Sequence, residues 1–390
     1  MESSNPDHFF ETDASQAQRE RKALKSSNKH GNPISMKSKI LAAVADPAAP
    51  ASGLFIAESA GPVRRVTLDT GSTKQSYRGP TAPATCVAVG GGKVYAGSWD
   101  KDIWSWDVET GSAGRKFGGH SDFVKTLLYT TLAGKEILIS GGADKKIIVW
   151  DIATGKRIHT LQDPSTTMMA LQHLAVDPAL TTKDEITFVS ASSDPHIRRW
   201  KITINGYEQL AETFHDRPDA ERLTIQEHET SVYRLHFDLT DDSADLWTAS
   251  ADGTAKCLSR ARNFTEEDSF EHKDYVRAVV VTEAWVITAG RDENVKVWDR
   301  ASGKLQYTLD GHYEEVTDLV LLPAANGQPQ RVCSVSIDRT IRTWPLAKKE
   351  LDDLVEQMKA PPKEEEAKDG ETSGLTAEEE AELAELMDSD

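Results

Sequence analysis

One short pattern recurs along most of this 390-residue chain and constrains its fold more than any other feature. In each copy a few small residues precede an aspartate, and a strand with apolar positions follows. The copies are AGSWDKDIWSWDVETG, SGGADKKIIVWDIATG, SASSDPHIRRWKI, TASADGTAKCLSR, TAGRDENVKVWDRASG and SVSIDRTIRTWPL. Their aspartates, spaced 40 to 58 residues apart, are Asp100, Asp144, Asp194, Asp252, Asp292 and Asp338. Self-similarity at such a spacing is typical of repeat folds.

The residues of one repeat predict four short antiparallel strands. Small residues end one strand, the turn with the aspartate follows, and the next strand is apolar on both faces, as at residues 147–150. A glycine turn then leads to a fourth strand. An earlier copy, LFIAESAGPVRRVTLDTG, keeps the strand–turn–strand pattern without the Asp and the Trp, which makes seven repeats. One unit cannot bury both of its faces alone, whereas seven units packed in a ring can, so the sequence predicts an all-β ring of seven four-stranded blades.

These residues resemble the WD-repeat β-propeller family. The dipeptide that names the family occurs at Trp106-Asp107, Trp150-Asp151 and Trp298-Asp299, and the resemblance covers residues 38–347. It implies a seven-bladed β-propeller of antiparallel blades, each braced by a network of His, Ser or Thr, Asp and Trp. The matching sets are His120, Ser140, Asp144 and Trp150; His228, Thr248 and Asp252, where Leu258 replaces the Trp; His272, Thr288, Asp292 and Trp298; and His312, Ser334, Asp338 and Trp344.

The His–Asp pairs of these sets look like catalytic dyads, but the repeat already accounts for them. A buried and fully bonded network rigidifies the element that holds it, so we predict a structural role. The blades of Asp100 and Asp194 lack the His, and we expect them to be the least well braced. The family also implies that the ring closes with a strand from the other terminus, here from residues 31–37.

Both ends of the chain differ from the repeats in composition. Residues 1–37 predict an N-terminal arm, partly disordered, with a short helix that begins at Asp13. Residues 38–347 form the propeller, and residues 348–390 an acidic, partly helical tail. From Glu350 to Asp390 sixteen carboxylates face three lysines, which supplies most of the net charge of −18. Within the tail KKELDDLVEQMK has a helical pattern, and Thr376 with Glu379 forms a capping box ahead of a second short helix.

The sequence offers no phosphate-binding loop, nucleophile elbow or zinc motif. We therefore predict a protein that is not an enzyme and has neither cofactor nor metal. Cys86, Cys257 and Cys333 are too few for a disulfide framework, and we expect buried thiols in a reducing compartment, the cytoplasm or the nucleus. The chain opens with the polar stretch MESSNPDHFF, and its apolar runs fall short of the roughly 18 residues that span a bilayer, so we expect neither a secretory signal nor a membrane segment.

A set of side chains beside the turn aspartates indicates where partners bind. In the family these positions emerge on the face that contacts other proteins, and here they are Trp99, Phe123, Lys125, Tyr233, Tyr275, Arg277 and Arg291. Trp, Tyr and Arg dominate interface hot spots, and the cations suit an acidic or phosphorylated peptide. For Trp99 and Phe123 the alternative, packing against a neighbouring blade, stays open.

The predicted function is a scaffold that presents this face to peptide segments of other proteins and assembles a multiprotein complex. We expect the chain to be a monomer within that complex. The alternative is a nuclear assembly factor that binds histones or ribosomal proteins through its acidic tail. The net charge of −18 argues against direct binding of nucleic acid.

Overall fold

Seven four-stranded antiparallel sheets make up most of the protein. The structure is a computed structural model, and it describes residues 13–163, 167–217, 219–240, 242–325 and 327–359. The seven sheets confirm the predicted seven-bladed β-propeller. In blades one to six the four strands pair in chain order, so each blade is a simple meander.

The first three blades occupy residues 40–161. Blade one contains Ile40–Ala45, Gly53–Glu58, Val63–Thr67 and Ser72–Tyr77; blade two contains Ala84–Gly90, Lys93–Ser98, Asp102–Asp107 and Phe117–Gly118; blade three contains Val124–Leu132, Lys135–Gly142, Ile147–Asp151 and Arg157–Leu161. The outer strand of blade two is the shortest of these.

Blades four to six follow the same meander. Blade four contains Leu171–Val176, Ile186–Ser192, Arg198–Ile202 and Tyr207–Leu210; blade five contains Val232–Phe237, Leu246–Ser250, Thr254–Ser259 and Thr265–Glu271; blade six contains Val276–Val281, Trp285–Gly290, Asn294–Asp299 and Leu305–Asp310. The long connection after blade four, noticeable in the sequence, forms a small hairpin of Glu212–Thr213 with Glu221–Arg222. A one-turn 3-10 helix spans Arg260–Arg262.

The first strands of the blades line the centre of the ring. Each contacts the first strand of the next blade, and Ile40–Ala45 contacts both Ala84–Gly90 and Val316–Leu322, so the circle is closed. The apolar side chains on both faces of a blade pack against its neighbours; Phe55 and Tyr77 of blade one, for example, share a core with Val94 and Trp106 of blade two. Burial between blades explains why the strands are apolar on both faces.

Blade seven joins the two ends of the chain. Three strands, Val316–Leu322, Arg331–Ser336 and Thr340–Pro345, come from the last repeat, and the fourth is Ile34–Ser35. Ile34 pairs with Ile341, so the outer strand comes from the segment 31–37 that the family resemblance implied.

Gly31 allows this closure. Its φ is +68°, and a Cβ at this position would lie 2.9 Å from the ring of Trp344. The amide of Thr343 donates a hydrogen bond to the Gly31 carbonyl, 2.8 Å away. A side chain at residue 31 would therefore be strained and would also collide with the core of blade seven.

Two helices flank the ring, α1 at Asp13–Ser26 and α2 at Lys348–Lys359. Leu351 of α2 is buried against blades six and seven, and Tyr307 donates a hydrogen bond to Asp352. Neither helix is long and apolar enough to cross a membrane, and the same holds for every helix in the described ranges. The predicted capping box at Thr376 and Glu379 lies outside the described residues.

Candidate functional site

The predicted network of blade three is assembled by hydrogen bonds. His120 contacts Asp144 through Nδ1 at 2.9 Å and Ser140 through Nε2 at 2.8 Å. The indole of Trp150 donates to the same serine hydroxyl at 2.8 Å. The network joins the loop before the blade, the second strand, the turn and the third strand.

Blades six and seven repeat this arrangement. In blade six the His272–Asp292, His272–Thr288 and Trp298–Thr288 distances are 3.2, 2.6 and 2.7 Å. In blade seven the His312–Asp338, His312–Ser334 and Trp344–Ser334 distances are 2.8, 2.7 and 2.9 Å. Blade five keeps the contacts of His228 to Asp252 and Thr248, both 2.7 Å, while Leu258 is buried in place of the Trp.

Burial and pairing fix the protonation of these groups. Burial lowers the pKa of His272 and His312, and their aspartate partners offset this only in part, so both imidazoles are neutral. Burial opposes ionisation of Asp292, but hydrogen bonds from His272 and Lys296 and the charge of Lys296 outweigh it and lower its pKa to about 2. Each His nitrogen already has a partner, which fits the structural role that the sequence predicts.

The two blades without this His have other braces. In blade four the guanidinium of Arg198, fully buried, donates to Asp194 at 3.1 Å and to Ser192 at 3.0 Å, and it pairs with Asp163 at 2.6 Å. Trp200 still donates to Ser190 at 2.9 Å. The missing His predicted a weakly braced blade, and Arg198 was not among the residues predicted from the sequence.

In blade two the turn aspartate is bonded by a tryptophan. The indole of Trp104 donates to Asp100 at 2.8 Å. Trp104 and Arg198 occupy the same position, four residues after the turn aspartate of their blades. A donor at that position, in a repeat without His, is the signal that could have revealed both braces.

The candidate partner-binding residues lie at the end of the ring where the turn aspartates are, called the binding face below. The rings of Trp99 and Phe123 stack, with centroids 5.0 Å apart and planes 15° from parallel. Trp99 is 46% exposed and Phe123 37% exposed. The two side chains of neighbouring blades therefore pack on each other and still present apolar area to solvent.

A second cluster on the binding face combines tyrosine with arginine. Arg277 lies over the ring of Tyr233 at 4.1 Å, and Arg291 lies over the ring of Tyr275 at 5.2 Å. The two tyrosine rings are 6.4 Å apart. Cation–π contact holds each guanidinium beside a flat apolar surface.

A cavity of about 310 Å³ has residues from the first strands of all seven blades in its wall, so it lies on the axis of the ring. Four of the predicted residues, Trp99, Lys125, Tyr233 and Arg277, line it. Phe123 reaches it only through its stack with Trp99, and Tyr275 and Arg291 are absent from its wall. The structure thus brings most of the predicted set around one opening.

The charge around this cavity is mainly positive. Lys125 has no carboxylate within ion-pair distance among the described residues, and burial together with the nearby charge of Arg277 lowers its pKa. Arg277 is already ion-paired, because its Nε lies 2.9 Å from a carboxylate oxygen of Glu315. Lys125 is therefore the cation of this pair that is available to an anionic group.

An ion pair occupies the deeper part of the cavity. Arg234 of blade five contacts Asp318 of blade seven at 3.0 Å, and the other oxygen of Asp318 accepts the amide of Ala43 at 3.2 Å. His173 lines the same region, and burial lowers its pKa well below the usual value. This neutral imidazole accepts the amide of Leu235 at 3.4 Å. These pairings leave Lys125 as the cation of the cavity wall that has no carboxylate partner among the described residues.

One group of side chains has the composition of a metal site, but its chemistry does not favour one. The ligand atoms of Asp245, Cys257 and Glu267 lie within 4.8 Å of one another. Burial raises the pKa of Cys257, so the thiol stays protonated, and Asp245 already accepts the amide of Arg260 at 2.7 Å. We assign no ligand to this group, and the expectation of no metal or cofactor stays a prediction.

Comparison with known proteins identifies the family. A model of the tRNA methyltransferase TRM82 WD40 domain matches residues 117–245, and a model of the WD domain, G-beta repeat, matches residues 265–299 and 303–345. An uncharacterized WD repeat-containing protein, C126.01c, of Schizosaccharomyces pombe is 34% identical over 405 residues, which cover 99% of this chain and 100% of the relative. The chain belongs to the WD-repeat β-propeller family.

Other WD-repeat relatives match less of their own length. The nuclear distribution protein PAC1 of Gibberella zeae is 26% identical over 304 residues, 74% of this chain and 62% of the relative. The pre-mRNA-processing factor 19 homolog 2 of Arabidopsis thaliana is 23% identical over 218 residues, 56% of this chain and 37% of the relative. This WD-repeat chain therefore spans less than two thirds of either protein.

Proposed function

We propose that this WD-repeat protein is a non-catalytic scaffold whose binding face holds an acidic or phosphorylated segment of a partner protein. A WD-repeat propeller fits a protein-interaction scaffold in general. The single observation that supports the acidic ligand is Lys125, a partly buried cation in the cavity wall without a carboxylate partner among the described residues. A buried charge without a partner is costly, and an incoming anion would remove that cost.

Several contacts around Lys125 support the same ligand. Arg277 adds a second positive charge to the cavity wall, where it lies over the ring of Tyr233 and is paired with Glu315. The stacked Trp99 and Phe123 supply apolar area on the other side of the opening. A central charged pocket beside exposed aromatic rings is the arrangement that concentrates binding energy at protein interfaces.

Peptide binding to the purified full chain tests this proposal. Three fluorescent peptide libraries share degenerate flanks and differ in one central residue, which is phosphoserine, glutamate or alanine. We expect the anionic libraries to bind about tenfold or more tightly than the alanine library, as for a charge-assisted pocket. Lys125→Met abolishes this preference, whereas Lys145→Met, at an exposed turn of the same face, retains it. Equal binding of the three libraries would refute the acidic ligand.

Affinity capture with mass spectrometry tests the wider scaffold function. The full chain is compared with one that carries Trp99→Ala, Tyr275→Ala and Arg291→Ala. Loss of a defined set of partners from the variant supports binding at this face. An unchanged set would assign partner binding to another surface.

A second candidate function rests on the family model that matches residues 117–245. We propose on that ground that the protein is the non-catalytic subunit of an RNA methyltransferase. The test is depletion of the protein followed by nucleoside analysis of total tRNA by mass spectrometry. Loss of one methylated nucleoside supports this function, and an unchanged nucleoside profile excludes it.

The acidic tail motivates the remaining alternative, a nuclear factor that binds histones or ribosomal proteins, although residues 360–390 lie outside the described part of the chain. Complexes of an acidic tail weaken steeply with salt, whereas a pocket-anchored complex weakens much less. The names of the nuclear distribution and pre-mRNA-processing relatives support a location in the cytoplasm or the nucleus. Fluorescence microscopy of the tagged full chain tests that location.

A further inference from the structure

Helix α1 lies on the binding face and is held there by charge. Arg21 forms a bidentate ion pair with Glu293, with hydrogen bonds of 2.8 and 2.9 Å. Lys25 contacts the same carboxylate at 3.1 Å and Asp310 at 2.8 Å. Lys22 contacts Glu314 at 2.6 Å. The three carboxylates, called the acidic rim below, belong to blade six and to the loop that leads into blade seven.

Apolar contacts contribute little to this docking. No residue of α1 whose side chain is described is buried, and Leu24, its one large apolar side chain, is 76% exposed. Ion pairs at a protein surface are individually weak and weaken further as salt rises. An isolated helix of this length is marginal in water, so α1 depends on the rim to stay folded.

Glu293 is an unusual residue for its position. The residue directly after the turn aspartate has a positive φ in five blades, and those residues are Lys101, Lys145, Gly253, Glu293 and Arg339. Glu293 is the one acidic residue among the five, and its blade is the one whose turn receives the basic helix. The side chain of Glu293 is only 9% exposed, because Arg21 and Lys25 cover it.

The segment after α1 is anchored separately. Arg342, buried in blade seven, donates to Asn28 and to the carbonyl of His30. Asn28 in turn donates to the carbonyl of Gly311 at 3.1 Å. Release of α1 therefore leaves the closing strand Ile34–Ser35 in place.

The acidic rim also borders the candidate site. Glu314 is followed by Glu315, the partner of Arg277, and Glu293 lies two residues after Arg291. We propose that α1 is a releasable strap that sets the charge of the binding face. Docked, Arg21, Lys22 and Lys25 neutralise the rim and leave Lys125 free to attract an anionic segment. Released, the strap leaves three carboxylates uncompensated on the binding face, and they repel that segment. The effect of release on peptide binding rests on the proposed function, whereas the release itself does not.

Hydrogen exchange of the full chain measures the release. We expect exchange of residues 15–26 to rise at least about tenfold between about 0.01 M and about 1 M salt, because the Debye length falls from about 30 Å to about 3 Å. Residues 31–36 keep their protection. The double variant Lys22→Gln with Lys25→Gln exchanges fast in α1 already at low salt. The matched control Lys183→Gln with Lys304→Gln, in loops at the opposite ends of the strands, behaves as the wild type.

A pair of variants separates charge from contact. The rim variant, Glu293→Gln with Glu314→Gln, also releases α1 but removes two of the rim charges. The helix variant, Lys22→Gln with Lys25→Gln, releases α1 and leaves the rim charges in place. Binding of the phosphoserine library is expected to fall about tenfold in the helix variant and to be retained in the rim variant. Equal affinities of the two variants, or slow exchange of α1 in both, would overturn the proposal. If the library binds neither the variants nor the wild type, the proposed function fails, and exchange alone decides whether α1 is a strap.

Discussion

The indole of Trp298 donates a hydrogen bond to the hydroxyl of Thr288, 2.7 Å away, and joins the two middle strands of blade six. The same hydroxyl contacts His272 at 2.6 Å, and His272 contacts Asp292 in the turn. One threonine oxygen thus connects a loop, a turn and two strands. Removal of its indole partner is expected to affect the whole blade.

Trp298→Ala is predicted to destabilise the protein by about 3–5 kcal/mol, as for other large-to-small changes of a buried aromatic residue. Trp298→Phe keeps most of the apolar volume and loses the hydrogen bond, so a smaller loss of about 1–2 kcal/mol is expected. Equilibrium unfolding in urea measures both. A loss below roughly 1 kcal/mol for the alanine variant would show that the blade interior does not depend on Trp298.

Arg198→Leu is predicted to destabilise by about 3–5 kcal/mol, because it leaves the buried carboxylates of Asp163 and Asp194 without their cation. Arg198→Lys keeps the charge but cannot reproduce the planar fork, and it recovers only part of the stability. Urea unfolding of the two variants gives the comparison. Equal stability of Arg198→Leu and the wild type would mean that blade four is braced by the Trp200–Ser190 bond alone.

Gly31→Ala is predicted to destabilise by about 2–4 kcal/mol, through strain at its positive φ and collision with Trp344. Gly92→Ala is the matched control, because Gly92 has a φ of +70° and nothing within 4 Å of an added Cβ. Gly92→Ala introduces only the backbone strain and is expected to destabilise by about 1 kcal/mol. Similar losses for the two variants in thermal unfolding would contradict a tight contact between Gly31 and Trp344.

Stability is predicted to fall as the pH drops from about 6.5, the ordinary histidine pKa, toward 4. Burial and the charge of Arg234 lower the pKa of His236 to about 4, so protonation in this interval favours the unfolded chain. Burial also lowers the pKa of His272 and of His312, so their protonation destabilises the fold in the same way. Urea unfolding at several pH values measures the slope. His236→Gln removes one titrating group and is expected to reduce the loss by about 2 kcal/mol; an unchanged slope would argue against a neutral His236.

Trp99→Ala is predicted to separate binding from folding. The side chain is 46% exposed, so the free energy of unfolding changes by no more than about 0.5 kcal/mol. Binding of the anionic peptide libraries is expected to weaken about tenfold, as for an interface hot spot. Leu239→Ala, at a 73% exposed residue in a loop at the opposite end of the ring, serves as the control for both measurements. A large loss of stability in Trp99→Ala would favour the alternative in which Trp99 only packs against its neighbouring blade.

The sequence predicted the features that repeat. His120, Asp144 and Trp150 recur at similar spacings in other blades, so the fold and four of the networks could be identified from the sequence. Arg198 and Trp104 could not be identified in this way, because each braces the turn aspartate of a single blade from a position that differs from that of the His. The docking of α1 on the ring is even harder to predict from the sequence. Arg21 and Glu293 are 272 residues apart, and ion pairs on an exposed helix impose no apolar periodicity on the sequence.

Closure of blade seven by both ends of the chain has a consequence for biosynthesis. Ile34–Ser35 leaves the ribosome early, but its partner Thr340–Pro345 is made more than 300 residues later. Until then the nascent chain has six blades at most, with apolar strand surfaces at two open ends. Completion of the circle therefore waits until Thr340–Pro345 has been made, and a chain truncated before Thr340 cannot form the final sheet.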